Sequence, residues 1–279
     1  MTFRRVNQLR IGLAQPIRLY LKHSLTNRGR GFVFRQILRR ILPPPPESFE
    51  LRRPGGSLVT LEYQEILGLL AFVNGGFEDA ECRLLVALAN PQSMAIDVGA
   101  NVGIHAVPLA ASAPSVTVLA IEPVPSNVRR LYSNVRANSI QNVDVIEAAV
   151  GAAEGLTTLH VANDPAYAST EAVIKGQREI GQLAVRQTTL DAIWERAGRP
   201  PVSVVKIDVE GGELAVLSGA GDLLASEHPS ILIEAHGPQL DAVASVLART
   251  GYRPVAAGGL EPWNHLFRAI DGSEAARPT

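Results

Sequence analysis

The sequence predicts a doubly wound α/β domain built on a parallel sheet. Short apolar runs at Met94–Val98, Val116–Ile121, Val143–Ile146, Val202–Ile207 and Ser230–Ala235 have the length and composition of buried strands. Helical patterns lie between them, the alternation that gives α/β architecture. The first run ends in Asp97-Val-Gly99-Ala-Asn101-Val-Gly103, which turns through two glycines into a helical pattern, as a nucleotide-type site at a strand end does.

The chain begins with a basic arm. Residues 1–55 hold twelve Lys or Arg against Glu47 and Glu50, a balance of +10, while the other residues hold fourteen bases and twenty-five acids, a balance of −11. The near-neutral total of −1 therefore hides a charge asymmetry. Aliphatic residues interleave with the bases up to Leu42, and Pro43–Pro46 forms a stiff break, so residues 1–46 read as a basic amphipathic helical extension with a Pro-rich linker. Gln15, Pro16, Arg18 and Lys22 interrupt the apolar stretch that a secretory signal needs. An organellar transit peptide, docking on the acidic body and attachment to an anionic membrane through residues 1–42 stay open. Neither zinc spacing nor an aromatic-bearing basic sheet points to nucleic acid.

Residues 47–93 precede the main domain. Ser57–Val73 fits either strands or a helix. Phe77–Asn90 reads as a helix with Glu81 and Arg83 outward, Leu84, Leu85 and Leu88 inward, and Asn90-Pro91 as its stop. The single cysteine, Cys82, excludes an intrachain disulfide and reads as a buried thiol, with a cytoplasmic setting as the default.

In the main domain, residues 94–270, Gly99 lets the chain turn sharply and approach a ligand, and Gly103 lets the next helix, to about Ala113, start close to the strand. Asn101 occupies the middle position where dinucleotide enzymes place glycine, and Asp97 would repel a phosphate. Both count against an NAD(P) oxidoreductase. An acid there suits a sulfonium, an ammonium and ribose hydroxyls, which S-adenosylmethionine combines. Glu122, at the end of the second strand, is placed to accept both hydroxyls of a ribose. A helix follows over 125–138 with Val128, Leu131, Tyr132 and Val135 on one face, and Glu147, after the third strand, is the candidate adenine contact. Leu156–Val161 and Leu183–Thr188 read as strands around a long polar stretch, 162–181, assigned to the acceptor. Lys206-Ile-Asp208-Val-Glu210-Gly211-Gly212-Glu213 packs charge at a strand end, where Asp208 is a site candidate; for Glu213 a role in the first helical turn weighs equally. Ile231-Leu-Ile-Glu234-Ala-His236 ends the next strand, with Glu234 and His236 on one side. A helix over Gln239–Thr250 and a strand pair, Arg253–Ala256 and His265–Ile270, complete the domain; 271–279 reads as a disordered tail.

Several of these pieces together resemble the FkbM-type methyltransferase family: Asp97–Gly103, Glu122-Pro-Val-Pro125, Thr189-Leu-Asp191, Lys206–Gly211, Val216-Leu-Ser-Gly-Ala220 and Asn264-His-Leu-Phe267, in the family's order over roughly residues 77–270. The resemblance implies a class I, Rossmann-like seven-stranded sheet, S-adenosylmethionine as cofactor, and methylation of a hydroxyl on a sugar, polysaccharide or secondary metabolite. In that chemistry Asp208 and Glu234 lie near the methyl-transfer centre, with His236, whose ordinary pKa is nearest working pH, as candidate base. His105, beside the cofactor loop, is a weaker candidate contact, and His265 reads as structural. No ligand spacing identifies a metal. Methylation of nitrogen on a small molecule or protein, and a catalytically silent binding protein of the same fold, are the competing readings.

Overall fold

A computed structural model describes residues 47–162, 168–170 and 178–270. The basic arm, the C-terminal tail and most of the 162–181 stretch lie outside the described residues.

The chain divides into two compact units. In the first, residues 47–51 and 60–77 of those described, β1 (Ser48–Arg52) and β2 (Leu58–Glu62) form a two-stranded sheet, followed by α1 (Ile66–Asn74). The ambiguity over Ser57–Val73 thus resolves into a strand and a helix. The ring of Phe72 meets Phe49 and Tyr63 edge-on, with centroids 5.5 and 5.2 Å apart.

The second unit, residues 52–59 and 78 onward, carries a seven-stranded sheet in the order β11-β12-β10-β9-β3-β4-β5. Its strands are β3 (Met94–Val98), β4 (Thr117–Ile121), β5 (Val143–Ile146), β9 (Val202–Ile207), β10 (Ser230–Glu234), β11 (Tyr252–Val255) and β12 (Asn264–Ala269). β5, β4, β3, β9 and β10 run parallel, whereas β12 is antiparallel to both neighbours. Every residue of β3 and β9 is buried, which explains why their sequences are apolar without alternation. The helices are α2 (Asp79–Leu88), α3 (Ala106–Ser112), α4 (Pro125–Ala137), α5 (Leu190–Arg196), α6 (Glu213–Ser218), α7 (Gly221–Glu227) and α8 (Pro238–Arg249). This is the class I methyltransferase order, and the chain leaves β3 toward one edge and β9 toward the other. The crevice between their carboxyl ends is the switch point where open α/β sheets bind ligands.

Two faces differ from the sequence expectation. Glu81 points inward, 1% exposed, because its carboxylate accepts the Glu261 amide at 2.6 Å and the Asn264 side chain at 3.3 Å, partners some 180 residues away. Tyr132, expected on the buried face of α4, is 43% exposed. Cys82 is buried as expected. Burial pushes its thiol up to about 12, against the pull of Arg53, whose guanidinium donates to Sγ. A second sheet of three strands, β6 (Ala149–Val150), β8 (Glu179–Thr188) and β7 (Gly155–Ala162), was not foreseen in β6 and pairs β8 with β7 antiparallel.

Candidate active site

Asp97 and Lys206 are neighbours across the β3–β9 pair, so the parallel register brings the two conspicuous sequence motifs together. The turn after β3 is tied down by its own main chain: the Gly99 and Ala100 amides both donate to Ile121 O, at 2.9 and 3.0 Å. Gly99 has φ +83, and a Cβ there would lie 1.7 Å from Asp208 O. The room its missing side chain provides is thus filled by the β9 turn, whose Asp208 amide donates to Val98 O at 3.0 Å, and not left open for a ligand. Gly103 packs against Leu131 and Val107, and α3 starts only at Ala106, two residues later than a helix directly after Gly103 would.

Asp97 is 2% exposed; among the described residues no side chain donates to either carboxylate oxygen, and the Ala106 amide is the main-chain donor that faces it. Burial pushes its pKa up; Lys206 and His105 push it back, and Asp208 adds to the rise. Lys206, also 2% exposed, places Nζ 2.8 Å from Asp208 Oδ2. Burial would lower its pKa, but Asp208, Asp97 and Glu78 outweigh it and hold the ammonium charged. A lysine so held is an anchor for Asp208, not a base.

Glu122 is 4% exposed and already accepts three donors of its own chain. Asn101 N meets Oε2 at 2.9 Å; Val124 N and Asn127 Nδ2 meet Oε1 at 3.0 and 3.2 Å. It therefore shapes the turn, holding Asn101 in a left-handed conformation (φ 50), and keeps acceptor capacity on Oε2 for a ligand hydroxyl. Burial raises its pKa to about 7 against those hydrogen bonds. Glu147 follows β5 and is exposed.

On the β10 side, His236 Nε2 lies 3.0 Å from Glu234 Oε1, so the pair expected from the alternation of an extended chain does meet. His236 is largely exposed and Glu234 mostly buried. Burial, then the charge of Asp208, raises Glu234 to about 9, with Lys206 opposing. Glu213 turns back onto its own helix start: it accepts the Gly211 amide at 3.1 Å and the Gln239 side chain. The Ser169 hydroxyl donates to Glu210 O at 2.8 Å, which ties the described part of the β7–β8 connection to this same turn.

Nothing in the sequence pattern singles out Glu78. It precedes α2 with φ 47, is 8% exposed, and its Oε2 sits 3.0 Å from His105 Nε2, an ion-pair distance off hydrogen-bond geometry. Its Oε1 accepts from Asn264 Nδ2 at 3.2 Å and Trp263 Nε1 at 3.4 Å. Burial alone would raise it, yet His105, Lys206 and Trp263 hold it at about 2. His105 is therefore drawn toward Glu78 as well as toward the cofactor loop, and His265 Nε2 lies 3.3 Å from Ala235 O, a structural contact.

The family model for the methyltransferase FkbM domain matches residues 97–254, more than half of the chain. The chain belongs to the FkbM methyltransferase family. Hexuronic acid methyltransferase AglP of Haloferax volcanii is 29% identical to it over 154 residues, 55% of this chain and 60% of AglP. Methyltransferase 1 of Beauveria bassiana is 24% identical over 147 residues, 47% of this chain and 59% of that protein. The chain thus spans three-fifths or less of the length of the curated relatives it matches. Among solved structures, FkbM methyltransferase from Methylobacillus flagellatus KT is similar at a TM-score of 0.45 and 18% identity, over 72% of this chain and 52% of that one.

Some of the family's motifs in this chain build the scaffold, not the site. Thr189 Oγ1 accepts the Ala192 amide at 3.0 Å and caps α5. Asp191 accepts the Asp222 and Leu223 amides at 3.1 and 2.8 Å, capping α7. Asp191 N in turn donates to Gly219 O at 2.9 Å, and a Cβ on Gly219 would lie 2.2 Å from Gly151 O. Thr189–Asp191 and Val216–Ala220 are therefore two halves of one clasp.

Proposed function

We propose that this FkbM methyltransferase uses S-adenosylmethionine to methylate a hydroxyl of a carbohydrate-containing acceptor. The observation that carries the cofactor is Asp97: a carboxylate buried at the switch point, facing the charges of Lys206 and His105 and the Ala106 amide, with no side-chain donor on either oxygen among the described residues. A buried carboxylate with so few donors still has acceptor capacity to spare, so the site fits a ligand that brings a cation or hydroxyl donors to it. A pyrophosphate would add like charge to the acids gathered there. Asp97, the Asn101 turn and the free acceptor capacity of Glu122 would hold the ligand, and Glu147 stands after β5 where an adenine would lie. When bound, S-adenosylmethionine supplies a methyl group on a sulfonium, open to in-line attack by an oxygen.

The chain's part is alignment and proton removal. Lys206 fixes Asp208 beside the crevice. Where Glu234 Oε1 accepts from Nε2–H of His236, Nδ1 is left as the lone pair for the acceptor's proton. The imidazolium so formed keeps its Nε2–H on the Glu234 oxygen and carries the acceptor's proton away on Nδ1. AglP, a relative whose name records a hexuronic acid substrate, supports a sugar acceptor.

Calorimetry with S-adenosylmethionine tests the reading. Wild type is expected to bind; Asp97→Asn and Glu122→Gln are expected to weaken binding about tenfold or more, the scale of a lost hydrogen bond to a charged group. A wild-type protein that does not bind the cofactor refutes it.

A further inference from the structure

We infer that Trp263 is the stacking surface for a sugar ring of the acceptor, an inference that rests on the carbohydrate reading above. The chain has two tryptophans. Trp194 is 3% exposed and donates to Pro200 O, whereas Trp263 is only half-buried, just before β12. Three contacts place it at the site. Trp263 O accepts the amide of Ala235, the residue between Glu234 and His236, at 2.9 Å. Its ring centroid lies 6.1 Å from that of His236 with the planes tilted by 35°, so the two rings form adjacent panels and not a closed stack. Its indole N–H is directed to Glu78, a carboxylate whose field reaches both Lys206 and Glu234.

A pyranose presents axial C–H groups on its flat faces and hydroxyls around its edge. The electron-rich face of an indole attracts those C–H groups, and the ring covers apolar area that a lone hydroxyl contact cannot. A tryptophan held by its polar edge at Glu78, beside the one carboxyl–imidazole pair at the end of β10, can orient a sugar ring so that an edge hydroxyl faces Glu234 and His236. An acyclic polyol has the same hydroxyls without the flat C–H face, and it should not be recognised.

The test uses the full chain with S-adenosylhomocysteine, a panel of methyl hexopyranosides and methyl hexuronosides, and sorbitol as the acyclic control. Tryptophan emission is followed in wild type and in Trp263→Phe, and methyl transfer is measured in wild type, Trp263→Phe and Trp263→Ala. Expected are a saturable emission change with at least one pyranoside, its absence with sorbitol and in Trp263→Phe, and a KM raised about tenfold in Trp263→Ala and less in Trp263→Phe. Unchanged cofactor affinity in both variants shows that they fold. Emission that stays flat across the panel, or a KM in Trp263→Ala equal to wild type, overturns the platform. If wild type still methylates a panel sugar in that case, only the platform falls. If it binds cofactor and methylates none, the carbohydrate reading falls with it.

Discussion

At Glu78 the main chain adopts a left-handed conformation that few non-glycine residues take, and the side chain then reaches His105, Trp263 and Asn264 at once. Strain at such a position persists when the surroundings over-determine it. A carboxyl held at about 2 in place of 4.5 contributes stability that is full above pH 4.5 and is lost as pH falls from there toward 2. That shift corresponds to about 3 kcal/mol. Glu78→Gln is therefore expected to lower the unfolding free energy at pH 7 by about 3 kcal/mol and to flatten the acid limb of stability against pH, as followed by urea unfolding from pH 7 to 3. An acid limb as steep as wild type's would show that Glu78 is not the responsible group. The residues legible from sequence were acids and a lysine at strand ends, Asp97, Glu122, Asp208, Glu234 and Lys206, because a strand end is a local pattern. Glu78 was not legible: inside the helix expected over Phe77–Asn90 it looks like an ordinary first-turn acid, and its partners lie up to 186 residues away.

Among the elements, the clasp between Thr189–Asp191 and Val216–Ala220 converts sequence motif into position. Thr189 caps α5, Asp191 caps α7, and the close approach at Gly219 brings α6 and its preceding turn up to the sheet. Since Glu210 and Gly211 sit in that turn, the clasp positions the site without touching it. Thr189→Ala is expected to cost about 1 kcal/mol, and Asp191→Ala, which orphans two amides, about 2 kcal/mol. In thermal melts these are shifts of roughly 2–4 °C per kcal/mol, with cofactor affinity at low temperature unchanged. A loss of affinity at full folding would instead place Asp191 in the site. The central strands were readable because burial on both faces leaves them uniformly apolar. β6 was not, since a two-residue strand pairing with the distant β8 leaves no periodicity, and the inward turn of Glu81 depends on loop amides that helical spacing does not encode.

For the whole molecule, the separation of charge has a consequence apart from the fold. Twelve bases lie in residues 1–55 and twenty-five of the twenty-seven acids lie beyond them. Among the described residues no helix is long and apolar enough to cross a membrane. Each Lys or Arg close to an anionic leaflet contributes about 1 kcal/mol, and interleaved aliphatic side chains add apolar burial at the interface. The acidic remainder is repelled by the same surface, an effect confined to about 8 Å at physiological ionic strength. The full chain is therefore expected to co-sediment with vesicles containing phosphatidylserine, to leave them as salt is raised, and to ignore vesicles of phosphatidylcholine alone. A chain beginning at Glu47, and a full-length chain with Arg4, Arg5, Arg10, Arg18, Arg39 and Arg40 changed to Gln, should both stay in the supernatant under the same conditions. Equal partitioning of all three chains would remove lipid from the arm's role, because the charge that distinguishes them would then have made no difference.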